Sequence, residues 1–145
     1  MDVHLEPEAR AVRPVQGLEF EMRACVLVAD DDPVQLQEMA EFLRLNGLDV
    51  ITARDGHEAV ERIASERPRI LMLDVNMPGW DGVRVAEAAR NLNHKVIVML
   101  MTAESEMYHY ANLADCGAVA VFRKPVKLDK ITDFLRSALG QADAA

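Results

Sequence analysis

Hydrophobic residues follow two alternating patterns along the chain. Short, unbroken apolar runs occur at Cys25–Ala29, Ile70–Leu73, Val96–Met101 and Val119–Phe122, with a weaker one at Val50–Ala53. Continuous runs of this length predict parallel strands covered on both faces. Each is followed by apolar positions at helical spacing: Leu36, Met39, Ala40 and Leu43; Ala59, Val60, Ile63 and Ala64; Val85, Ala88, Ala89 and Leu92; Met107, Tyr110, Ala111 and Ala114; and Leu128, Ile131, Leu135 and Ala138.

Local chemistry marks the helix ends. Asp32-Pro33-Val34-Gln35 offers a capping carboxylate, proline at the first helical position and Gln at the capping-box position, and Gly47 is placed to close that helix. Asp55 with Glu58 repeats the capping box, and Pro68 stops the second helix. Five strand-helix units in a row predict a doubly wound α/β domain with right-handed crossovers and helices on both faces. Residues 1–23 show no periodicity, contain Pro7 and Pro14, and read as a flexible arm. The domain is expected over residues 24–140 with a short tail at 141–145, leaving no room for an output domain.

Composition narrows the function. At 145 residues with 50% hydrophobic content, the chain has material for one core. It lacks the ~18 consecutive apolar residues of a membrane span and the basic-then-apolar order of a signal peptide. A cytoplasmic protein is expected. The formal charge of -8 argues against direct nucleic-acid binding, which needs a basic face. Cys25 and Cys116 form no metal or redox motif and are expected as reduced core residues.

Candidate chemistry collects where doubly wound sheets bind ligands, at the carboxyl ends of the strands. There the first strand delivers Asp30, Asp31 and Asp32; the third, Asp74; the fourth, Thr102; the fifth, Lys124 and Pro125. Two carboxylates about 5 Å apart repel by roughly 3 kcal/mol at an effective dielectric near 20. Asp30, Asp31 and Asp74 therefore suit a divalent cation, and a few carboxylates with waters suit Mg²⁺. Asp74 could then attack phosphorus as a nucleophile. Lys124 would neutralise phosphoryl oxygens, and Thr102 would donate a hydrogen bond to one of them.

The segments VLVADDDP (26–33), LMLDVNMPGWDG (71–82), MLMTAE (99–104) and GAVAVFRKP (117–125), in this order, resemble the receiver domain of two-component response regulators, the CheY-like family. The resemblance extends over roughly residues 24 to 139. It implies a flavodoxin-like fold with strand order 2-1-3-4-5. It also implies Asp74 as phosphoacceptor, Asp31 as a direct metal ligand, Asp30 as holder of a metal-bound water, and the Asn76 carbonyl as a further ligand. Thr102 aligns with the switch hydroxyl and Lys124 with the phosphate-binding lysine, before a peptide bond that is often cis in such domains. Asn76 and Glu104 fall at positions that set the lifetime of the phosphoryl group, and this polar pair resembles the faster-hydrolysing members.

The implied partners are a histidine kinase or histidine phosphotransferase upstream. Downstream, the resemblance implies a protein docked on the surface of the fourth helix, fifth strand and fifth helix, or onward transfer in a phosphorelay. Turnover of an external substrate is not indicated, so the expectation is a signalling receiver, not an enzyme. One departure stands out: Val121 occupies a position that is often Tyr or Phe, and strand alternation points the neighbouring Phe122 to the opposite face. That departure and the arm support an alternative, a receiver fold used as a phosphorylation-independent interaction module. Trp80 is compatible with a kinase contact or with packing on its own loop. Gly82 reads as a backbone requirement, the methionines Met72, Met99, Met101 and Met107 as core filler, and His4, His57, His94 and His109 as surface or structural residues.

Overall fold

The computed structural model describes residues 25–103 and 116–144, with side chains through Leu139. The arm at 1–23, the predicted fourth helix with Met107 to Ala114, Glu104, His4 and His109 lie outside the described residues. The described elements are β1 (Cys25–Ala29), α1 (Pro33–Leu45), β2 (Asp49–Ala53), α2 (Gly56–Glu66), β3 (Ile70–Asp74), α3 (Gly82–Leu92), β4 (Ile97–Thr102), β5 (Ala120–Arg123) and a C-terminal helix, α4 (Leu128–Ala144). No helix among them is long and apolar enough to cross a membrane.

All five strands pair in parallel in the order β2-β1-β3-β4-β5. The register sets Val26 beside both Val50 and Ile70, Ile70 beside Ile97, and Met99 beside Ala120. Strand alternation divides the core in two. Leu27, Ala29, Leu71, Leu73, Val98 and Leu100 face α2 and α3. Val26, Val28, Ile70, Met72, Met99 and Met101 face α1 and α4. Because both faces are covered, β1 and β3 have no polar face at all, which is why they read as unbroken apolar runs. β2 lies at the edge and is only half-buried over most of its length, which accounts for its weaker pattern.

The helix ends follow local rules. Asp32 caps α1 by accepting from the N–H groups of Val34 (2.9 Å) and Gln35 (3.2 Å), with Pro33 at the first turn. Asn46 closes that helix and Gly47 turns the chain with φ 88°. Asp55 caps α2 through the Glu58 N–H at 2.8 Å, and the Glu58 carboxylate reaches back one residue beyond the cap to the Arg54 N–H at 2.8 Å. That helix ends in left-handed Arg67, just before Pro68.

The buried stripes of three helices shift from the expected positions. In α3 the buried residues are Gly82, Val85, Ala86 and Ala89, while Leu92, the last residue of the helix, is exposed. In α2 they are Gly56, Ala59 and Ile63, and Ala64 faces solvent. In α4 the stripe runs Ile131, Leu135 and Leu139, with Leu128 at the rim. Cys116 is buried and reduced; Cys25, at the exposed start of β1, is only half-buried. Burial pushes both thiols up in pKa, with Glu66 and Asp49 adding to the effect at Cys25.

Candidate functional site: an acidic cluster with one lysine

Three parallel strands end side by side, and each delivers a polar residue at or just past its end. Asp30 follows β1 and is 2% exposed, Asp74 is the last residue of β3 at 5%, and Thr102 ends β4 fully buried. The ladder runs far enough to fix them: Asp74 pairs with Met101 and Thr102 with Arg123, and the Lys124 N–H donates to the Thr102 carbonyl at 2.8 Å. Polar groups at this depth persist only when bonded. No buried side-chain polar atom among the described residues lacks a partner.

Lys124 ties the cluster together. Its Nζ donates to Asp74 Oδ2 at 3.0 Å and to Asp30 Oδ2 at 3.1 Å. The other oxygens are held by backbone: Asp30 Oδ1 accepts the Asp32 N–H at 2.9 Å, and Asp74 Oδ1 accepts the Asn76 N–H at 3.1 Å. Asp31 is exposed at the mouth, yet oxygens of Asp30, Asp31 and Asp74 all lie within 4.8 Å of one another. The Lys124–Pro125 peptide is cis.

Charge is unbalanced here, with three carboxylates against one ammonium. Burial raises the Asp74 pKa to about 6, with the Asp30 charge adding to the rise; the Lys124 hydrogen bond and charge and the Asn76 N–H only partly offset it. Burial alone would lower the Lys124 pKa, but its bonds to Asp74 and Asp30 prevail and raise it. Hard oxygen donors with two negative charges in excess are what a small divalent cation requires, so the donor set fits Mg²⁺.

The structure thus brings together Asp30, Asp31, Asp74 and Lys124, with Asn76 joined through its backbone and Thr102 one strand over. Asp32 stays apart as a helix cap. Val121 packs against the α2–α3 side of the sheet and Phe122 against the other, its ring edge-on to Phe134 at 6.0 Å. Trp80 lies on its own loop, with the Arg84 guanidinium 4.2 Å from its ring centre. Two features escaped sequence reasoning. A cavity of about 300 Å³ opens beside the cluster, between Met39 of α1, Met101 of β4 and Leu128 of α4. Asp81 caps α3 by accepting the Arg84 N–H at 2.9 Å, a role its Asp-Gly-x-Arg context does not announce.

Comparison with known proteins settles the family. A family model for the response regulator receiver domain matches residues 26–136. The chain belongs to that family. Curated relatives include the response regulator MprA of Mycobacterium ulcerans, 35% identical over 118 residues, covering 81% of this chain and 51% of the relative. MprA of Mycobacterium tuberculosis strain H37Rv is 34% identical over the same length. The receiver therefore spans about half the length of the curated relatives it matches. Among solved structures, the receiver domain of the Francisella response regulator 1452 superposes with a TM-score of 0.72 at 26% identity, covering 81% of this chain and 99% of that one. A CheY-like receiver from Methanospirillum hungatei reaches 0.79 at 21% identity, over 84% and 98%, a likeness of fold. Receiver domains are signalling domains, and they bind Mg²⁺ at an acidic cluster of the kind that Asp30, Asp31 and Asp74 form here.

Proposed function

We propose that this receiver accepts a phosphoryl group on Asp74 from a histidine kinase or histidine phosphotransferase in the cytoplasm. It would then signal by docking a protein partner or by passing the group onward in a phosphorelay. The observation that carries the reading is the pairing of a nearly buried, strand-ending Asp74 with Lys124 at 3.0 Å inside a three-carboxylate cluster. As a structural device alone, such a cluster is costly, since buried charges are tolerated only when matched.

The residues divide the work. Asp30, Asp31, Asp74 and the Asn76 carbonyl would hold Mg²⁺, which when bound supplies positive charge against the carboxylates and the incoming phosphoryl oxygens. An Asp74 carboxylate oxygen forms the new P–O bond as the donor's P–N bond breaks, and the departing imidazole takes up a proton. Lys124 Nζ, already on Asp74 Oδ2, passes to a phosphoryl oxygen, and Thr102 Oγ1 donates to another. The Asn76 N–H keeps the carboxylate oriented throughout. Hydrolysis reverses the gain, with water attacking phosphorus and Asp74 leaving as carboxylate. The domain catalyses only its own modification in this scheme.

The phosphoryl group adds about -1.5 to -2 charges. Its draw on Thr102 and Lys124 displaces β5 and the segment after β4, and so biases the surface formed by the fourth predicted helix, β5 and α4. With Val121 in place of an aromatic ring, that displacement travels without a ring rotation at this position. The alternative, a constitutive interaction module, would leave the Lys124-bridged cluster without a use. Phosphoramidate, a small donor with a P–N bond, tests the proposal: labelling is expected as a hydroxylamine-sensitive acyl phosphate on the peptide containing Asp74. Phosphate recovered on any other residue would count against it.

A further inference from the structure

The loop after Asp74 is held at both base and tip. At its base, the Val75 N–H continues the ladder by donating to the Met101 carbonyl at 2.8 Å. The Gly82 N–H donates back to the Val75 carbonyl at 3.0 Å. The first residue of α3 lies so close to the end of β3 that a Cβ on Gly82 would sit 2.5 Å from the Asp74 carbonyl oxygen.

At its tip, the loop rests on the start of α2. The backbone of Trp80 occupies the space where a Gly56 side chain would be: a Cβ there would overlap the Trp80 carbonyl oxygen and lie 2.6 Å from the Trp80 Cβ. Gly79, at φ 78°, lets the chain fold down onto His57, whose ring would lie 2.9 Å from any Cβ at that position. The Arg84 guanidinium lies over the indole, 4.2 Å from its centre, and the tilted His57 ring is 6.1 Å away. Cation–π contact and ring packing of this kind hold an aromatic without burying it fully. Between base and tip, Met77 is buried in the α2–α3 core. Asn76 lies in the span that these points define.

We propose that Trp80, seated on Gly56 and covered by Arg84 and His57, is a positioning residue for the divalent cation. It fixes the 75–81 loop so that the Asn76 carbonyl is already in place when the ion arrives. The inference rests on the metal site proposed above. Trp80 acts only through the loop. Groups that orient metal ligands without touching the ion typically affect affinity by 10–100-fold, because a ligand left loose must be ordered at the moment of binding. Trp80 holds only one ligand of the set, through backbone, so the low end of that range applies.

The test is calorimetric titration of Mg²⁺ into the metal-free full chain and its Trp80→Ala and Trp80→Phe variants. Native-state amide exchange is followed in EDTA at Asn76 and Met77, with Leu71, Met72 and Leu73 as core references. Trp80→Ala is expected to weaken Mg²⁺ binding about tenfold and to speed loop exchange, with β3 protection retained. Trp80→Phe keeps a ring beneath Arg84 and is expected within about twofold of the wild type. Three results would overturn the proposal: Trp80→Ala binding Mg²⁺ as the wild type does, Trp80→Phe failing as badly as alanine, or β3 protection falling as far as the loop's. Absence of Mg²⁺ binding by the wild type would remove the metal site itself and the inference with it; wild-type binding with an indifferent Trp80→Ala removes the inference alone.

Discussion

Replacing Lys124 with methionine keeps the length and most of the volume of the side chain but removes the charge that bridges Asp30 and Asp74. In the folded protein Lys124 Nζ stands 3.1 Å from one carboxylate and 3.0 Å from the other, with its side chain only 18% exposed. At an effective dielectric of about 20, each contact corresponds to roughly 5 kcal/mol of Coulomb attraction before desolvation. Stripping one partner from a buried ion pair costs about 3–5 kcal/mol. Methionine's apolar contacts and the exposed fringe of the lysine reduce this, so Lys124→Met is expected to lose about 2–4 kcal/mol in EDTA at pH 7.

The sign of the pH dependence is set by Asp74. Its folded pKa is already raised, to about 6, above the 3.8 of the free side chain. Without Lys124 it rises further. A carboxyl raised in this way contributes stability that is present below the unfolded value and lost as pH climbs through the folded one. The Lys124→Met deficit should therefore shrink at pH 5, and it should also shrink in saturating Mg²⁺, which restores positive charge. Urea unfolding monitored by circular dichroism, in EDTA and in Mg²⁺ at both pH values, measures each part. A variant as stable as the wild type in EDTA at pH 7 would show that Lys124 does not offset the buried charge of Asp30 and Asp74.

Two other substitutions probe the same corner. The shift of Asp74 from 3.8 to about 6 corresponds to roughly 3 kcal/mol lost between about pH 4 and pH 6 in metal-free protein. Asp74→Asn, which forfeits part of the Lys124 contact, is expected to raise stability at pH 7 by about 1–2 kcal/mol and to flatten that fall; urea midpoints from pH 4 to 7 would show it, and an unchanged slope would contradict it. Gly82→Ala drives a methyl toward the Asp74 carbonyl and should cost about 1–3 kcal/mol in the unfolding midpoint, with slower phosphoryl uptake from a displaced Asp74. Equal stability would mean that α3 can retreat from β3.

Much of the fold was legible because interior parallel strands have no polar face to interrupt them. Cys25–Ala29 and Ile70–Leu73 could be read almost to the residue. β3 and β4 each run one residue further than their apolar content, and those residues are Asp74 and Thr102, polar side chains whose backbones stay in the ladder. The candidate site was legible for a related reason: parallel strands bring the residues at their carboxyl ends to one edge, so Asp30, Asp74, Thr102 and Lys124 could be grouped by order alone. Contacts set by packing between distant segments could not be read. Gly56 against Trp80 and Gly82 against Asp74 depend on how closely two backbones approach, and a glycine in sequence does not say which neighbour fills its missing side chain. The stripe of α3 misled because Leu92 fits the period but is the helix's last residue and stays exposed, a limit that periodicity does not show.

The most direct test of phosphoacceptance is the intact mass of the protein after incubation with acetyl phosphate, with and without Mg²⁺, beside Asp74→Ala. A gain of one phosphoryl group that requires Mg²⁺ and is absent in the variant is expected. An unchanged mass in the wild type, or an equal gain in Asp74→Ala, would contradict it.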